Sequence, residues 1–150
     1  MKNMPIYDVH DVANYFLLKA QDDGQELLSN MKLQKLIYYA QGLHLVLFNE
    51  PLIQEQVEAW TYGPVVPILY HKYKEYEGHG IPAAASFDRL KIDSETRDFL
   101  DEIYQVFGQF SATRLMEISH EDQCWKDSCP GNEITHEALK IDLKKYLKDG

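Results

Sequence analysis

The sequence predicts a mainly α fold of about six helices, with a very short β-hairpin or extended arm near residues 52–61. Three observations predict it. Apolar residues recur at three- and four-residue spacing through most of the chain. Polar capping residues (Asp8, Ser29 or Asn30, Ser94, Ser111, Thr135) stand just before those stripes. The chain has 150 residues, 45% hydrophobic and 26% charged, which suits a single globular domain over residues 1–150.

Asp8 caps a first helix of about thirteen residues in which Val9, Val12, Ala13, Phe16 and Leu17 share a face. Gln21-Asp22-Asp23-Gly24 ends it. A second helix starts at Ser29 or Asn30 and carries Leu33, Leu36, Ile37, Ala40, Leu43 and Leu47 on one stripe facing a core. Gly42 and Ala40 leave room for another backbone to approach, Tyr38 and Tyr39 sit at the core edge, and Pro51 closes the helix. Ile53, Val57 and Ala59 alternate weakly, as in an arm or tiny hairpin.

Tyr62-Gly63-Pro64 then reads as a turn that launches a third helix, from Pro64 to about Tyr76. Gly63 takes a positive φ there, and Val65, Ile68 and Leu69 form the inner stripe. Gly78, Gly80 and Pro82 to Ala85 make a loop. Ser94 caps a fourth helix with Phe99, Ile103, Val106 and Phe107 inside, and Gly108 ends it. Ser111 starts a fifth, with Leu115, Met116 and Ile118 apolar. His120 to Pro130 reads as a loop. A last helix begins at Thr135, with Leu139, Leu143, Tyr146 and Leu147 inward.

Net charge is −9, spread along the sequence and heavier in its second half. That balance argues against binding a nucleic-acid backbone, which needs a basic stripe. No apolar run approaches the roughly 20 residues of a membrane span, and the first residues lack a signal-peptide pattern. The two cysteines, Cys124 and Cys129, fit a reduced, cytoplasmic setting.

Chemistry has few candidates. His120, Cys124, Cys129 and His136 are metal-ligating types at short range, but no Cys-x-x-Cys knuckle joins them. No bound metal or other cofactor is expected. Neither cysteine sits in a protease-like nucleophile motif, and no phosphate loop or His-Glu-x-x-His occurs. Asp98, Asp101 and Glu102 fall on the outer face of the fourth helix. Ten tyrosines and two tryptophans remain, the side chains that most often anchor interfaces.

Three blocks carry a resemblance. They are "KLQKLIYYAQGLHL" (32–45), "EAWTYGPVVPILY" (58–70) and "FSATRLMEISHEDQCW" (110–125). In this order they resemble the signature blocks of the SocA-like Panacea antitoxin domain, which includes the phage-associated GepA-type proteins. Leu33, Lys35 and Leu36 match the first block, Trp60, Tyr62, Gly63 and Pro64 the second, His120 and Trp125 the third. The resemblance implies a mostly helical domain that neutralises a toxin encoded beside it by direct contact. It implies no catalytic residues and a structural role for most matched positions. One family member delivers its toxin to the ClpXP protease, so a Clp-type protease is a second implied partner.

The leading expectation is therefore a stoichiometric antitoxin, not an enzyme. Trp60, Tyr62 and Tyr70 would anchor the partner, and Asp98, Asp101 and Glu102 would steer it. Two alternatives stay open: a phage or mobile-element adaptor that binds a host factor or delivers a partner to a protease, and a metal- or thiol-dependent enzyme.

Overall fold

The computed structural model describes residues 4–24 and 26–147. Asp8 stands where the helical run begins, and its carboxylate accepts from His10 N. Helix α1 (Val9–Asp22) follows, with Val9, Val12, Ala13, Phe16 and Leu17 all buried. Ser29 caps α2 (Asn30–Phe48) by accepting from Lys32 N, and Asn49 ends it in the left-handed conformation. This helix is the axis of the fold: α1, α3, α4, α5 and α7 all pack on it.

The stripe predicted for α2 is too narrow. Every residue from Leu33 to Leu45 is buried, including Tyr38 and Tyr39, which leave the core edge for its centre. Leu47, one turn further on, is exposed instead, while the next residue, Phe48, turns in against Phe99. Gly42 is approached by side chains rather than backbone. A Cβ there would lie 3.2 Å from Leu143 Cγ and 3.6 Å from Leu139 Cδ2 of α7.

The arm at 52–61 resolves into both expected forms. Ile53 makes an isolated parallel bridge with Tyr7, and Gln41 Oε1 accepts from Leu52 N and Ile53 N, tying the arm to α2. Strands β1 (Val57–Trp60) and β2 (Gly63–Val65) then form an antiparallel hairpin, Trp60 opposite Gly63 and Glu58 opposite Val65. Strand β3 (Glu133–Ile134), unpredicted, pairs with the other edge of β1, giving the order β2-β1-β3.

The third helix starts later than Pro64. Pro64 lies in β2 opposite Ala59, and α3 (Pro67–Tyr73) begins at the next proline, followed by a 3₁₀ turn at Lys74–Tyr76. Val65 and Val66 are β-branched, and a residue before proline is pushed to extended backbone, so the backbone stays extended past β2 until Pro67. Ile68 is exposed in consequence, while Leu69 is buried. Gly63 does hold a positive φ, +115°, but at the hairpin turn rather than at a helix start.

A 3₁₀ turn (Arg89–Lys91) precedes α4 (Ser94–Phe107). Asp93, not Ser94, is its N-cap, and its carboxylate accepts from Tyr7 Oη instead of from the helix. Phe99, Leu100, Ile103 and Phe107 are buried, but Val106 is exposed. Ser111 caps α5 (Ala112–His120) as predicted. The segment read as a loop contains a helix, α6 (Gln123–Ser128), too short to show a stripe and burying only Cys124. Thr135 caps α7 (His136–Leu143), and a 3₁₀ turn (Lys144–Leu147) follows, from which Leu147 faces outward. The result is a mainly α single domain with a small three-stranded sheet.

Candidate partner-binding site

The three sequence blocks meet at one place. Lys35, from α2, runs beneath β2, and its Nζ donates to Pro64 O at 3.4 Å. A Cβ at Gly63 would stand 2.5 Å from Lys35 Cε and 3.1 Å from Ser119 Oγ of α5. Gly63 is thus required twice, by its φ and by the lysine under it. Trp125 of α6 donates from Nε1 to Trp60 O at 2.9 Å, and its ring stacks on His120, centroids 4.3 Å apart. Leu33 and Leu36 are core residues of α2. The matched positions therefore seat the hairpin on α2 and α5–α6.

Above this seat lies a cleft of about 570 Å³. Trp60, Thr61 and Tyr62 of the hairpin, Tyr70 of α3, Met31 of α2 and the Pro130-Gly131 loop form its walls. Trp60 is half-buried and meets Tyr70 edge-on at 5.1 Å, while its Nε1 donates to Glu58. Tyr62, at the hairpin tip, is 68% exposed. The structure brings the three predicted aromatic anchors together.

Lys35 also lines this cleft, though only 1% exposed. Burial lowers its ammonium from the ordinary value of 10.5 to about 8. The sequence contained one signal for it: between Leu33 and Leu45 it is the sole Lys, Arg, Asp or Glu. A lone charge inside a run that buries on all sides has nowhere to snorkel.

The acidic trio lies elsewhere. Asp101 accepts from Tyr15 Oη at 2.6 Å and pairs with Lys19 at 3.6 Å. Asp98 is exposed beside Arg89 and Arg97, and Glu102 edges an apolar groove with Leu47, Phe99 and Val106. None of the three lines the aromatic cleft.

One buried centre was missed altogether. Asp122, 0% exposed, accepts from Tyr38 Oη at 2.8 Å, Tyr39 Oη at 2.9 Å and Tyr146 Oη at 2.6 Å, and pairs with Lys145 at 3.0 Å. Burial first, then the neighbouring carboxylate, raises all three phenols well above their ordinary value. Burial would lower Lys145, but its bonds to Asp122 and Asp142 raise it. Asp142 is held below its ordinary value, against burial, by the N–H of Cys124 and by Lys145. These partners are far apart in sequence, and no local motif announces them.

The four metal-ligating candidates separate by role. Cys124 is buried beside Tyr38 Oη, its thiol pushed up to about 12 mainly by burial. Cys129 is half-buried, His120 is stacked on Trp125, and His136 meets Gln41 Nε2. Among the described residues no three His, Cys, Asp or Glu side chains group as a metal site. No helix among them is long and apolar enough to cross a membrane.

The fold and site define a mainly α domain whose motif residues seat a hairpin against its central helix. Residues 33–126 match the family described as antitoxin SocA-like, Panacea domain, and the chain belongs to that family. Antitoxin SocA of Caulobacter vibrioides (strain NA1000 / CB15N) is 32% identical over 123 residues, covering 75% of this chain. The match covers 65% of that curated relative's own length. No solved structure matches the chain.

Proposed function

We propose that this chain is a binding module that neutralises a cognate toxin, encoded beside it, by direct contact in the cytoplasm and without catalysis. Family membership supports the antitoxin role. The observation that carries the contact reading is the cleft where Trp60 and Tyr70 meet beside the exposed Tyr62. Tyrosine and tryptophan there bury large area on contact while keeping a polar tip. Asp98 and Glu102, with the net charge of −9, would favour encounter with a basic partner and leave affinity to the aromatics.

The test is induction of the neighbouring gene with and without this chain. Rescue is expected, with the pair co-purifying as a stable complex. Truncating Trp60 or Tyr62 to alanine in that complex is expected to cost about 2 kcal/mol or more. A neighbour that is harmless alone, or that kills despite abundant folded antitoxin, overturns the reading. Rescue that disappears in a ClpXP-deficient host assigns the adaptor route instead.

A further inference from the structure

Lys35 carries three N–H donors and sits where water hardly reaches. Among the described residues its one hydrogen bond is the 3.4 Å contact to Pro64 O, at the long limit for such a bond. No carboxylate offsets its burial. Glu58, the acid of strand β1, does not line the cleft and accepts from the Trp60 indole. Gln34, the other buried polar side chain lining the cleft, is engaged at both ends: Oε1 accepts from Val66 N and Nε2 donates to Asn30. The one charged group lining the cleft is therefore a cation, beside the neutral hydroxyls of Thr61, Tyr62 and Tyr70. Apart from Thr61, whose hydroxyl is neutral, and Gly131, the rest of the lining, Met31, Trp60, Tyr62, Val65, Tyr70 and Pro130, is apolar or aromatic.

We propose that this cleft receives a carboxylate carried on a short apolar segment of the partner protein, with the carboxylate paired to Lys35 and the flanking residues on the aromatic walls. The inference rests on the binding-module reading above and names what that surface recognises. Charge complementarity selects the occupant. A cation would be repelled by Lys35. A wholly apolar segment would strip the last water from an ammonium that has no counter-ion, a costly arrangement. A phosphate dianion would bring two negative charges against one ammonium and leave one of them buried without a partner. A single carboxylate matches it in charge and size, and the pair forms out of solvent, where a charge-assisted hydrogen bond is strong. The carboxylate can be the partner's free C-terminus or an Asp or Glu side chain.

Three short peptides separate the sources: acetyl-Ala-Leu-Val with a free C-terminus, acetyl-Ala-Leu-Asp amide, and acetyl-Ala-Leu-Val amide. Binding to the whole protein is followed by the amide and indole NMR shifts of Trp60, Tyr62 and Gly131. At least one acid peptide is expected to bind about tenfold tighter than the neutral amide, the worth of one charged hydrogen bond. Lys35→Met should abolish that difference while the neutral peptide still binds. Tyr62→Ala, at an exposed tip that cannot unfold the domain, should weaken all three alike. Equal binding of the three peptides, no binding at millimolar concentration, or discrimination that survives Lys35→Met overturns the inference. Rescue from the neighbouring toxin keeps the two readings apart. If the wild-type protein and folded Lys35→Met rescue equally, the carboxylate pairing fails and the antitoxin stands. If the wild-type protein does not rescue, the antitoxin itself fails.

Discussion

Asp122 and Lys35 are equally withdrawn from solvent, yet Asp122 meets three tyrosine hydroxyls and an ammonium while Lys35 meets one distant carbonyl. A buried charge surrounded by donors stabilises the fold that holds it, and removing it strands its partners. A buried charge without partners is a standing cost to the fold. The two centres therefore have opposite expected effects on stability, and that contrast separates a structural lock from a recognition group.

The largest effect is expected at the lock. Asp122→Ala leaves three buried hydroxyls without their shared acceptor and Lys145 without its main counter-ion. It should destabilise by about 3–5 kcal/mol in urea or thermal unfolding. A loss under about 1 kcal/mol would mean the tyrosines find other partners, and the contrast would collapse.

Lys35→Met should move the other way, stabilising by on the order of 1–3 kcal/mol at neutral pH. The pH dependence sharpens this. The folded value, about 8, lies below the unfolded value of 10.5. Below pH 8 both states carry the charge and the fold bears the full burial penalty. Between the two values the unfolded state holds more proton, so wild-type stability gains as pH rises. In Lys35→Met that gain should be missing from urea titrations at pH 8 and pH 10.

Gly63→Val should destabilise by roughly 1–3 kcal/mol, from a β-branched residue at positive φ and a clash with Lys35. In a Lys35→Ala background the penalty should shrink, since the clash is relieved and the φ strain stays. Full additivity would show that the lysine does not press on β2.

The smallest effect belongs to Trp125→Phe, which keeps an aromatic ring beside His120 but loses the bond to Trp60 O. About 1 kcal/mol is expected by thermal unfolding, with a weaker effect on the cleft than on the fold.

The difference between the two centres also explains what could be read before the structure. Helix starts at Asp8, Ser29, Ser111 and Thr135 were legible because a cap and its stripe are neighbours in sequence. The third helix was misplaced because Pro64 and Pro67 both suit a first helical position, and only pairing with Ala59 commits Pro64 to a strand. Leu47 and Val106 satisfied the helical period yet face outward while their neighbours Phe48 and Phe107 turn in, since a stripe's edge is set by what packs on it and not by the period. Trp60, Tyr62 and Tyr70 were legible as a set because they lie within eleven residues of one another. Asp122 was invisible, for its hydroxyl partners are 24 to 84 residues away. Helix α6 was hidden by its length, with Cys124 as its one buried residue.

The Asp122 cage has a consequence for synthesis on the ribosome. Tyr38 precedes its acceptor by 84 residues, and Tyr146 follows that acceptor by a further 24. At roughly 5–20 residues per second, the central helix waits for seconds with its phenols unpaired, and the bond from Tyr146 closes last. During that interval the nascent polypeptide exposes the surface that α7 will cover, and quality-control proteases can compete with completion. Translation rate would then join folded stability in setting the supply of the finished protein. Slow translation past residue 122 would lower the yield of mature protein without any change in sequence.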